Sequence, residues 1–229
     1  ESLVQRIDGD GVTRGGAFVY ARDSRSTDSV FGGYERAWGE HTLRATLRRD
    51  RIESVGSETT GALAWGWRFV PQWLLRASYG TAFRAPTFDD LYNPFSPNPA
   101  LRPEKSRGYE VALEQRIGAD LLRATAFSSR IDDAIELDSF YTAQNLARAR
   151  VQGLTLEARR ASGAWVLRGS ATMQHTEGVS VDPVTGARSD AELARRAPRY
   201  GVVGVEHARG PWRFGAEAIA QARRFDTLG

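Results

Sequence analysis

The chain has no cysteine, a single lysine, a single methionine and only three histidines. Without thiols there is no disulfide and no thiolate metal site. Mean hydropathy is −0.43, and no stretch approaches the roughly 20 apolar residues that a membrane helix needs. That excludes a helical span but not a β-barrel, whose strands alternate and average out as hydrophilic. His41, His175 and His207 sit in separate hairpins, and none falls in a nucleophile or metal-ligand motif. We therefore expect no enzyme, no resident metal and no cofactor. The carboxylates Asp89-Asp90 and Asp132-Asp133 come two at a place, which reads as solvated loop charge before it reads as calcium.

What the sequence does contain is a rhythm. Two-residue turns at Gly39-Glu40, Pro71-Gln72, Gly118-Ala119, Ser162-Gly163 and Gly210-Pro211 alternate with longer polar loops. Between them run stretches in which apolar and polar residues alternate. Trp73, Leu75, Ala77, Tyr79, Thr81 and Phe83 share one parity, with Arg76, Ser78 and Gly80 on the other. Tyr109, Val111, Leu113 and Ile117 oppose Glu110, Glu114 and Arg116 in the same way. So do Trp165, Leu167, Ala171 and Met173 against Arg168, Ser170, Thr172 and Gln174, and Trp212, Phe214, Ala216, Ala218 and Ala220 against Arg213, Glu217 and Gln221. Residues 121–130 mix the two faces. Strand cores are expected at 27–38, 41–50, 58–69, 73–83, 106–117, 121–137, 146–160, 164–177, 199–207 and 212–225. Residues 1–7 read as the tail of a further strand. Residues 8–26 are ambiguous, with residues 15–20 either extending a hairpin above a membrane or belonging to a loop.

A soluble β-sandwich also alternates, so the aromatics decide. Trp38, Trp73, Trp165 and Trp212 lie within two residues of a short turn, and Trp65, Trp67 and Phe69 share a parity just before another. Indole rings favour the headgroup boundary, where apolar body and N–H donor are both satisfied. These seven residues are the expected membrane-interface girdle. The fold class is thus all-β, a transmembrane antiparallel up-and-down β-barrel, with about ten or eleven strands in this chain.

The net charge is +3, and every basic residue except Lys105 is arginine. They are spread through the strands instead of gathered on one stripe, which argues against nucleic acid. Arg44, Arg48, Arg76, Arg168 and Arg213 fall on the polar parity, where a barrel lumen hydrates them, although genome composition also explains arginine-rich usage. Far-side loops are expected to begin near Arg51, Arg84, Asp138 and Gly178. Residues 84–103 hold five of the nine prolines. Such a segment cannot be regular sheet and is a stiff excursion, either a binding mouth or a loop folded over its neighbours.

Ser78-Tyr79-Gly80-Thr81-Ala82-Phe83-Arg84-Ala85-Pro86, then Leu91-Tyr92, then Asn98-Pro99-Ala100-Leu101-Arg102-Pro103-Glu104-Lys105-Ser106 with Glu110 following, resembles the signature of TonB-dependent outer-membrane receptors. Asn145, Ala149 and Gly153 resemble the family's next marked strand, except that Thr155 stands where members usually place an acid, with Glu157 following on the same face. The phrases Ala62-Leu63-Ala64-Trp65-Gly66-Trp67 and Arg195-Arg196-Ala197-Pro198 look most like the cobalamin branch. The resemblance implies a 22-stranded barrel around an N-terminal plug, of which residues 1–229 would be a C-terminal portion of the barrel, with the plug and the last strands outside them. The chain starts on Glu1 and stops at Thr227-Leu228-Gly229, which fits that expectation.

The implied partners are a corrinoid or metal-chelate ligand, the TonB energy-transducing complex acting through the plug, and outer-membrane lipid and lipopolysaccharide. Siderophore and haem receptors share the signature, and a passive porin or adhesin is the reading of another class. By loop position, the expected ligand contacts are Phe88, Asp89, Asp90, Tyr92, Asn93 and Phe95. Arg148 and Arg150 are expected to meet anionic groups of a ligand or of lipopolysaccharide.

Overall fold

The computed structural model describes residues 2–6, 10–13, 16–19, 24–138, 141–181, 187–191 and 196–224. Parts of the ambiguous 8–26 segment, Arg195, and positions 225–229 lie outside the described residues. Fourteen strands and one short helix follow in order: β1 (Ser2–Arg6), β2 (Asp10–Thr13), β3 (Gly16–Val19), β4 (Ser24–Trp38), β5 (His41–Ile52), β6 (Gly56–Val70), β7 (Trp73–Arg84), α1 (Phe88–Tyr92), β8 (Glu104–Ile117), β9 (Asp120–Leu137), β10 (Ala143–Ser162), β11 (Trp165–Val181), β12 (Arg188–Ala191), β13 (Arg199–Arg209) and β14 (Trp212–Gln221).

One twelve-stranded sheet runs β1-β4-β5-β6-β7-β8-β9-β10-β11-β13-β14, with β12 paired to β11. All its pairings are antiparallel. The eleven strands on the main path match the expected ten or eleven. Strands β2 and β3 form a separate hairpin, so part of the ambiguous segment is hairpin.

Glycine sets the short turns. Gly39, Gly118, Gly163 and Gly210 have φ of +51°, +58°, +56° and +59°, the positive first-position φ that suits a two-residue hairpin to strand twist. The fourth turn is Gly163-Ala164, one residue later than expected, because Ser162 still pairs with Trp165. Two far-side expectations also change. Between β5 and β6 only residues 53–55 lie outside the two strands, since Ser54 takes φ +68° and Gly56 φ +110° and so closes the hairpin tightly. Strand β11 continues past Gly178 to Val181 because β12 supplies it with partners.

The register confirms the two faces. Val111, Ala126, Leu154 and Met173 form one continuous row across β8 to β11, and Leu113, Ala124, Leu156 and Ala171 form the next. Glu114 pairs with Arg123, which pairs with Glu157, which pairs with Ser170 on the opposite face. Strand β9 mixes its faces because Phe127 lies on the polar side. It sits opposite Gly153, where an added Cβ would come within 2.8 Å of the Phe127 ring and 2.4 Å of the Met173 carbonyl oxygen.

Burial separates a barrel from a sandwich. Only seven hydrophobic residues are buried among those described, and the largest fully buried side chain is Pro86. Meanwhile Val111, Leu154, Leu167, Met173 and Val203 are each 43–65% exposed. A sandwich of this size would hide its oily faces between two sheets. Here they form one uncovered surface of a kind that a bilayer covers.

Gly153 is the tightest point of the sheet. Gly153→Val is expected to cost about 1–3 kcal/mol by overpacking, read as a lower midpoint for the heat-induced gel shift of the full-length barrel. Gly39→Ala, with open space around its Cβ position, is expected to cost only about 1 kcal/mol through its φ.

Candidate functional site

The short-turn end carries the aromatics. His41 stacks between Trp38 (5.6 Å), Trp65 (5.8 Å) and Trp67 (5.7 Å), and Phe69 continues the series from Trp67 at 5.4 Å. Trp165 meets His207 at 4.2 Å, and His207 pairs in register with Phe214. Trp73 opens β7, and Trp212 opens β14 at 67% exposure. All seven expected girdle residues therefore lie at the same end of the strands, on or beside a short turn.

The polar face carries paired charges. Arg44 meets Glu35 at 2.8 Å and Arg48 meets the buried Asp50 at 2.9 Å. Glu114, also buried, is held by Arg116 (3.0 Å) and Arg123 (2.7 Å), and Arg123 extends to Glu157 at 3.2 Å. Arg168 pairs with Glu206 and, at 3.4 Å, with Glu217. A concavity of about 580 Å³ on this side is lined by Glu35, Arg44, Arg76, Glu110 and Arg123, among others. Thr155, the departure from the family pattern, shares a 2.9 Å hydrogen bond with the buried Thr172.

At the opposite end the proline-rich segment folds into a small body. Thr87 caps α1 reciprocally: its Oγ1 accepts from the Asp90 N–H (3.1 Å), while the Thr87 N–H donates to Asp90 Oδ2 (2.8 Å). Leu91, Leu101 and Ala143 form a buried cluster on which Val55, Tyr92 and Ile135 pack. Arg25 donates to the Pro86 carbonyl (2.7 Å), and its guanidinium lies 5.1 Å from the Phe88 ring centroid. Arg25 shares strand parity with Ser29 and Glu35, so the segment leans toward the polar face.

The signature asparagines hold this body down. Asn98 Nδ2 donates to the Ala143 carbonyl (2.7 Å) and to Gln144 Oε1 (3.1 Å). Asn145 receives the Arg102 N–H (2.8 Å) and donates to the carbonyls of Arg102 (2.9 Å) and Asp133 (2.8 Å). Glu104 takes both arms of Arg84 (2.7 and 2.6 Å) and the Ile135 N–H (2.7 Å). Burial raises the Glu104 carboxyl, but the Arg84 and Ile135 donors outweigh it and hold the group below the ordinary glutamate range. Glu104 lies beyond Tyr109 on the loop side of the apolar rows.

The expected ligand contacts divide. Phe88 is buried, Tyr92 is half-buried on the cluster and Asp90 is committed to the cap. Asn93 accepts the N–H groups of Phe95 and Ser96 and donates to Asp89. Asp89 and Phe95 are exposed, Phe95 at 70%. Arg148 and Arg150 stand apart from this group, on the apolar parity of β10. Thr87, Asn98 and Asn145 received no role from the sequence, although Thr87-x-x-Asp90 was visible there as a helix-start pattern. No cluster of three or more metal-ligating side chains occurs among the described residues.

An up-and-down sheet with one oily and one charged face, aromatic at its short turns and carrying a folded loop at the other end, is that of part of a transmembrane β-barrel. The family model for the β-barrel of TonB-dependent receptor-like proteins matches residues 4–228, and the chain belongs to that family. It is 27% identical over 215 residues to the vitamin B12 transporter BtuB of Photobacterium profundum, covering 90% of this chain and 34% of that protein. To the Vibrio cholerae BtuB it is 29% identical over 143 residues, 61% of this chain and 23% of that one. Among solved structures it resembles the FrpB iron transporter of Neisseria meningitidis (TM-score 0.67, 17% identity, 84% and 31% coverage) and the siderophore receptor PirA of Acinetobacter baumannii (0.68, 13%, 88% and 35%). The chain spans about a third of the length of these relatives. They are named as transporters and receptors, in keeping with the absence of catalytic motifs.

Asn145→Ala removes three hydrogen bonds and leaves the Arg102 N–H without its acceptor, at about 1 kcal/mol per bond. Limited proteolysis within residues 86–102 of the full-length protein is expected to accelerate about tenfold or more. The acid response follows from Glu104. Its lowered carboxyl contributes stability that is present above the ordinary value of 4.5 and is lost as pH falls through the lower folded value. A spin label at Phe95→Cys should keep constant mobility from neutral pH down to about 5 and mobilise only well below that.

Proposed function

We propose that the chain is part of the barrel of an outer-membrane receptor for active uptake of a large, scarce nutrient, and that this nutrient is a corrinoid. The observation that carries the reading is the 27% identity, over 90% of the chain, with a vitamin B12 transporter. The plug and the remaining strands lie in the rest of the protein, and the TonB complex acts through the plug. The barrel segment does no chemistry on its cargo. It captures the cargo at the loop end and surrounds the plug with a charged inner wall.

Capture falls to the folded 84–103 body. Asp89 and Phe95 supply the contacts, one polar and one flat and aromatic, while Phe88, Asp90, Tyr92 and Asn93 hold them in place. A body already ordered by asparagine bonds and five prolines loses little entropy when the cargo docks. The second reading is an iron chelate, favoured by structural neighbours named as an iron transporter and a siderophore receptor.

Titrating the detergent-purified full-length receptor with cyanocobalamin is expected to give saturable binding, weakened about tenfold by Asp89→Ala with Phe95→Ala. Saturable binding of a ferric siderophore, with none of cyanocobalamin, moves the assignment to the iron-chelate class. Uptake that persists without the proton gradient contradicts active transport and supports a passive barrel.

A further inference from the structure

Among the described residues, two buried side-chain polar atoms have no hydrogen-bond partner, and both are histidine Nδ1 atoms, those of His41 and His207. Buried polar groups are almost always paired. The two sites repeat one pattern. In register, Trp38-His41-Trp67 crosses β4, β5 and β6, and Trp165-His207-Phe214 crosses β11, β13 and β14. Each imidazole is thus the middle ring of three on the outward face, close to a short turn. His41 lies nearly parallel to its indoles, at interplanar angles of 16–23°, and so couples Trp38 of one neighbouring strand to Trp65 and Trp67 of the other.

A neutral imidazole can keep its proton on Nε2 and leave Nδ1 bare, which suits a nitrogen sealed among aromatic rings. The imidazolium must carry a proton on both nitrogens. Its charge is drawn to indole faces, but its Nδ1–H then has no acceptor in the stack, and an unmatched donor is costlier on a charged group. No carboxylate is placed to supply one. Around His41, Glu35 of β4 is held by Arg44, while Glu40 of the turn and Arg68 of β6 line the concave polar side. Around His207, Glu206 of its own strand and Glu217 of β14 are held by Arg168 of β11, and Arg213 of β14 lines a cavity with them. Beside the histidines on the outward face stand arginines, Arg36 of β4 and Arg209 of β13. A charged ring and the stacked position therefore exclude one another.

We propose that His41 and His207 are acid-operated catches at the short-turn, periplasmic rim of the barrel. Neutral, each ring stays in its stack and ties three strands together at the membrane boundary. Protonated, it leaves the stack for the water beyond the turn, where Nδ1–H finds an acceptor, and the aromatic rings it joined come apart. The change falls where histidine alone among unperturbed side chains titrates. The rim thus loosens in mild acid, whereas the loop end, held by Glu104, responds only in stronger acid. The inference rests on the membrane-barrel fold and stands whether the cargo is a corrinoid or an iron chelate.

The test uses the full-length receptor in bilayers, with single spin labels at Glu40→Cys and Pro211→Cys near the two histidines and at Phe95→Cys as the loop-end reference. Between about pH 7.5 and about pH 5 the mobile component at both turn labels should grow about threefold or more, with no change at Phe95→Cys. His41→Phe, which stacks but does not titrate, should keep the Glu40→Cys label immobile at both pH values, and His207→Phe should do the same for Pro211→Cys. His41→Lys, charged throughout, should give the mobile spectrum already at the higher pH. If the lysine variant does not insert, the phenylalanine variants decide alone. Turn labels that ignore pH in the otherwise unaltered receptor, a pH response that survives in the phenylalanine variants, or an immobile label in an inserted His41→Lys variant would overturn the proposal. So would mobilisation of Phe95→Cys together with the turn labels, which is general acid unfolding.

Discussion

The structure depends on the hydrogen-bonded ladder. Each interior strand gives its N–H and C=O groups to two neighbours, so the backbone needs nothing from the solvent on either face. The side chains are then free to answer two different solvents. One parity becomes an uncovered wall of Val, Leu, Ala and Trp, and the other a wall of Arg-Glu pairs. Among the described residues a conventional core is nearly absent as a result. The one buried apolar cluster among the described residues, Leu91, Leu101 and Ala143, lies at the 84–103 loop, where the chain leaves the ladder and must satisfy itself by other means.

The loop shows what that requires. Five prolines remove donors that a loop would otherwise have to pair, and the capped helix satisfies several more. Asn98 and Asn145 then join the loop to the ends of β9 and β10 across more than forty residues of sequence. Much of the family signature is therefore scaffold. It fixes the body that carries the exposed Asp89 and Phe95. The identity of Asn98 and Asn145 follows from donor and acceptor geometry.

The faces were legible in the sequence because period-two alternation is strictly local, and the turns because glycine must supply a positive φ. Strand β9 was expected at 121–137 and is found at Asp120–Leu137, but its two faces were not legible, since Phe127 breaks the alternation and the gap at Gly153, across the ladder, accommodates it. Strand ends were underestimated wherever a partner prolonged them, as β12 does for β11. The interior of the loop was opaque because its bonds join residues far apart in sequence. Loop position alone could not separate the structural Phe88 and Asp90 from the exposed Phe95, nor set Arg148 and Arg150 on the outward face. That last distinction rests on the register of β10 with β9 and β11.

The central claim is that one parity of these strands meets hydrocarbon and the other does not. The absence of cysteine in this chain makes a direct measurement simple: single spin labels at Val111, Leu154 and Leu167, and at Thr125, Thr155 and Ser170, in the full-length protein in bilayers. The account predicts high accessibility to dissolved oxygen, and low accessibility to a polar nickel chelate, for the first three alone. The same accessibility at both sets, or oxygen-rich surroundings at Thr155 with chelate at Leu154, would contradict it.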